Sequence, residues 1–172
     1  MIYNIKNKKG FTLMELLVTV ILVAILASYG VYYYTDIINE GKLNAAKGKL
    51  AALGGATSRF LVETSIDPLG CSLGYNVGED MYSVLSSRTL HCMGMTEDTY
   101  WYAFDVFACG FAEKSLTWDE NFVFYFGCPN QYRCGTLNQI TVFMKPKENA
   151  PSDSPKCAYF DPVFDKVIEV RD

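Results

Sequence analysis

One carboxylate and six thiols are the residues in this chain that invite chemistry. Glu15 sits near the start of an apolar run spanning residues 11–34, which at roughly 1.5 Å per residue is long enough to cross a bilayer as a helix. An ionised group in hydrocarbon is costly, rare and usually paired, so by default it marks a functional position with a partner. The bland alternative is that Glu15, close to one end of the run, rests at headgroup depth. The thiols are Cys71, Cys92, Cys109, Cys128, Cys134 and Cys157. An even set beyond an apolar run, on the exported side, reads as up to three disulfides, and sequence does not choose among the connectivities. Cys128 and Cys134 flank Pro129-Asn130 and are expected to close a local loop.

Other constellations are weaker. His91, the only histidine, adjoins Cys92. A Cys-His dyad would need a free thiolate, which a disulfide-bonded Cys92 does not offer, so no enzyme is expected. Zinc would call for CxxC pairs or more histidines, and neither is present, so no metal site and no cofactor are expected. Asp153, Asp161, Asp165 and Glu169 could ligate calcium, but their spacing matches no dense oxygen-ligand loop. Solvated loop charges are the expected reading.

The elements that must position these residues follow from charge and periodicity. Lys6, Lys8 and Lys9 precede the apolar run, whereas Asp36 and Glu40 follow it. The positive-inside rule therefore keeps residues 1–10 cytoplasmic and exports everything after Tyr34. Tyr29, Tyr32, Tyr33 and Tyr34 fall at the outer interface as an aromatic belt. Setting aside the three lysines of residues 1–10, 12 basic residues face 19 acidic ones, a side-chain balance of -7 that argues against nucleic-acid binding. Lys42, Lys47 and Lys49 are read as a solvated helix face, with nucleic-acid contact as the lesser alternative.

Helix is expected to continue to about Phe60. Leu43, Ala46, Leu50, Leu53, Thr57 and Phe60 alternate spacings of three and four and so form one stripe that needs a sheet to cover it. Gly48, Gly54 and Gly55 each cost such a helix up to about 1 kcal/mol. They either admit a close strand or end the helix early. Residues 64–100 read as irregular and disulfide-stapled, with a short helix near 80–87. Beyond them, 101–109, 122–126, 137–145, 157–160 and 165–170 read as strands, rich in aromatic and β-branched residues. Their short links imply an antiparallel sheet with one face on the helix and the other toward solvent. The expected fold is α+β, with segments 1–10, 11–34, 35–62 and 63–172.

Residues 1–17 carry a more specific pattern: a short basic leader, then Gly10-Phe11-Thr12-Leu13-Met14-Glu15-Leu16-Leu17 opening the apolar run. This resembles the type IV prepilin leader of pilins and pseudopilins. The resemblance implies that a prepilin peptidase cuts between Gly10 and Phe11, that Phe11 is then N-methylated, and that Phe11, Thr12 and Glu15 serve subunit assembly. It also implies a pilin-like fold, with a long N-terminal helix on an antiparallel sheet. The implied partners are a homo-oligomeric helical filament, an inner-membrane pilus assembly platform, and lipid before assembly. Location would be the bacterial inner membrane, then an extracellular pilus or a periplasmic pseudopilus.

An ordinary signal peptide fits less well, because the run is too long and only Ser28-Tyr29-Gly30 offers a small-x-small site. Many relatives carry a proline late in the apolar segment, whereas here the first is Pro68, so the resemblance alone does not imply a kink, and Gly30 is the expected local weak point instead. Two rival functions stand beside the pilus subunit. One is a type II secretion pseudopilin, in whose major members a C-terminal loop binds calcium. The other is a membrane-anchored binding protein that uses the leader only for sorting.

Overall fold

The computed structural model describes residues 10–64, 80–87 and 105–171. Cys71, His91 and Cys92, and most of the stretch 64–100 expected to be irregular, lie outside the described residues. The chain divides into two units, Met1–Glu40 and Gly41–Asp172. Helix α1 (Leu13–Glu63) begins in the first and ends in the second. It is followed by α2 (Met81–Ser87), α3 (Asp105–Ala108), and strands β1 (Phe122–Gly127), β2 (Thr141–Pro146), β3 (Cys157–Asp161) and β4 (Lys166–Val170). The strands form one antiparallel sheet in the order β1-β2-β3-β4, so the fold is α+β.

The second unit is organised by two periods meeting face to face. On α1 the expected stripe is buried throughout: Leu43, Ala46, Leu50, Leu53, Thr57 and Phe60. On β1, Phe122, Phe124 and Phe126 alternate inward and join Val142, Met144 and Ala158 in the same core. Helix period and strand period thus present one apolar surface each, and burying both against one another is the main stabilising term.

Gly54 shows why one helix glycine is needed. A side-chain carbon there would run into the Phe160 ring of β3. The helix does not end early at this glycine but continues to Glu63, so close approach is the reason for it. Gly48 and Gly55 have open space around them, and no contact among the described residues explains them.

Two expectations are corrected. Residues 105–108 are helical, not a strand; 101–104 lie outside the described residues. Gly110, at φ +81°, closes α3 in a Schellman motif: its N–H reaches the Phe107 carbonyl at 3.2 Å and the Phe111 N–H reaches that of Val106 at 2.9 Å. Consecutive Asp105, Val106 and Phe107 are all buried, a pattern a half-buried strand cannot produce. The second correction concerns the sheet face away from α1, which carries its own cluster. Cys134, Phe143, Cys157 and Tyr159 are buried there. Phe143 stacks on both Tyr125 and Tyr132, with ring centroids 5.2 and 5.1 Å apart.

Candidate functional site at the start of the first helix

The first turn of α1 is built by Thr12 and Glu15. The Glu15 N–H donates to Thr12 Oγ1 at 3.3 Å. In return Glu15 Oε2 accepts the Thr12 backbone N–H at 3.0 Å and its hydroxyl at 2.9 Å. The Leu16 N–H closes the turn on the Thr12 carbonyl at 3.2 Å. This is a reciprocal capping box, which satisfies amide donors that the start of a helix would otherwise leave without partners. Its signal, Thr12-x-x-Glu15 ahead of an apolar run, stands in the sequence and went unused there.

Because Thr12 is the cap, Gly10, Phe11 and Thr12 lie outside the helix. Gly10 has no neighbour within 4 Å of the place a side-chain carbon would occupy, and Phe11 is 77 % exposed. The Gly10–Phe11 peptide bond is therefore non-helical and open to solvent.

Downstream, every large apolar side chain across residues 13–38 is exposed. The serine and threonine hydroxyls within that stretch turn back on the helix itself. Thr19 donates to the Leu16 carbonyl at 2.8 Å, Ser28 to that of Ala24 at 2.8 Å, and Thr35 to that of Tyr32 at 2.7 Å. Their polarity is thus met internally, as apolar surroundings require. From Leu13 to Tyr34 the only charged side chain is Glu15. The helix runs through Gly30 without a break, and the four belt tyrosines, Tyr29 and Tyr32 to Tyr34, are all exposed.

The remaining candidates resolve differently. Cys134 bonds to Cys157 across a Cα–Cα distance of 5.7 Å, so the expected Cys128–Cys134 loop is wrong. The turn at Pro129–Tyr132, followed by Arg133 at φ 55°, carries the chain from one sheet face to the other. Cys128 is consequently buried in the core under α1 and Cys134 in the opposite cluster. Cys109 and Cys128 are disulfide-bonded as well, and none of the described cysteines is free.

Two of the four acidic residues near the C-terminus, Asp161 and Glu169, serve the fold through their side chains. Asp161 Oδ1 accepts the Val163 and Phe164 N–H groups at 2.9 and 3.3 Å, shaping the turn between β3 and β4. Glu169 pairs with Lys47 of α1 and with Arg171 at 2.7 Å. Hydrogen bonds from Lys47 first and Arg171 second hold its carboxyl below the usual glutamate value. Among the described residues no group of three or more His, Cys, Asp and Glu assembles as metal ligands. Lys49 donates to the Trp118 carbonyl and to Asp119 Oδ2, both at 2.8 Å. Two of the three lysines in the supposed solvated strip are thus neutralised within the chain.

Among the described residues, an apolar groove of about 280 Å³ beside Leu61, Ile140 and Pro162 carries no acidic or basic side chain. Its one hydroxyl, that of Ser58, donates to the Gly54 carbonyl at 3.0 Å.

Residues 5–30 match the family model described as the prokaryotic N-terminal methylation motif. No curated protein and no solved structure matches the chain.

Proposed function

Residues 5–30 carry the type IV prepilin signature, and we propose that this pilin-like chain is a structural subunit of a type IV pilus-like filament. It is held by its N-terminal helix in the inner membrane with residues 1–10 cytoplasmic, and a prepilin peptidase hydrolyses the Gly10–Phe11 bond. Water adds across that amide: the leader departs with a carboxylate on Gly10, and Phe11 gains an amine that stays cationic after methylation.

The new ammonium then sits at a helix end whose dipole is already positive, a place that favours an anion. Glu15 supplies one to a neighbouring copy. Charges that are each costly among packed apolar helices are neutralised in pairs, which can specify the axial register of the subunits. The assembly platform at the inner membrane draws subunits from lipid into the filament, and helix 13–38 exchanges lipid for other helices. On this reading the chain acts by assembling and catalyses nothing.

A single coincidence carries the reading. The signature lies on a helix whose large apolar side chains at 13–38 are all exposed, with one carboxylate at its start. Mass spectrometry of sheared surface filaments tests it. The expected species begins at a Phe11 bearing one added methyl. A chain that keeps Met1 to Gly10, or that is found only as dispersed copies in the membrane, would overturn the reading.

A further inference from the structure

We draw no further inference here: the strongest candidate, the open face of the first helix along Gly41, Gly48 and Gly55, where a side-chain carbon at any of the three would meet nothing within 4 Å, is a stripe of small residues and nothing in the structure shows what covers it.

Discussion

Glu15 Oε2 takes both hydrogen-bond donors of Thr12, the amide at 3.0 Å and the hydroxyl at 2.9 Å. The carboxylate proposed to meet a neighbouring subunit therefore also caps its own helix. Two substitutions separate these roles, because glutamine completes a capping box as glutamate does but carries no charge. Glu15→Gln should keep the amide-exchange protection of the first turn yet lower filament yield about tenfold or more, as expected when one member of a buried charge pair is lost. Glu15→Ala should lose both. Hydrogen exchange in detergent micelles and electron microscopy of sheared filaments read the two roles separately. Normal filaments from Glu15→Gln would remove the charge from the account.

Two glycines of α1 make opposite predictions. Gly54 faces the Phe160 ring with no room for a side-chain carbon, whereas Gly48 has open space. Gly54→Ala should destabilise the fold by roughly 1–3 kcal/mol through overpacking. Gly48→Ala should stabilise it by about 0.5–1 kcal/mol, through helix propensity and a less flexible unfolded chain. Thermal melting of the full chain in detergent should show Tm moving down for the first and up for the second. Equal shifts of one sign would contradict the packing described at Gly54.

These contrasts mark what was legible in the sequence. The stripe from Leu43 to Phe60 and the alternation Phe122, Phe124, Phe126 could be read because one periodic face of each element is buried in one core. The Thr12-Glu15 cap was equally readable, since its residues are local. What could not be read depends on contacts distant in sequence. Which helix glycine is indispensable depends on Phe160, more than a hundred residues away. The partner of Cys134 depends on a turn that switches sheet faces. The short helix Asp105–Ala108 sits in an aromatic-rich stretch whose composition suits a strand, and a glycine-closed turn with three consecutive buried residues overrides that propensity.

The Cys134–Cys157 bond joins residues 23 apart, tying the turn after β1 to the start of β3 beneath the Tyr125, Phe143 and Tyr159 cluster. Closing a loop of that length restricts the unfolded chain by about 3 kcal/mol on the entropic account. Replacing both cysteines by serine should therefore lower Tm, and the loss should exceed that of Phe143→Leu, which keeps the cross-link and removes ring stacking with part of the buried volume. Thermal melts of the two variants decide the order. Little change on losing the disulfide would mean that the opposite-face cluster holds the turn without it.

Glu169 gives the acid limb of stability a definite sign. Lys47 and then Arg171 hold its folded-state carboxyl below the ordinary value, so the folded form binds fewer protons than the unfolded one between the two values. Its contribution is present above the ordinary glutamate value of about 4.3 and fades as pH falls through the lower folded-state value. The pair is partly exposed, with about a quarter of each side chain in solvent, so the term should stay under about 1 kcal/mol and shrink further in salt. Lys47→Met removes the hydrogen bond that does most to hold the Glu169 carboxyl down. It should flatten the pH dependence of Tm in that acid window while leaving the neutral-pH fold intact. Denaturation curves collected between neutral and strongly acidic pH measure this directly. An acid limb of unchanged steepness would show that the tie between α1 and β4 through Lys47 and Glu169 adds nothing to stability.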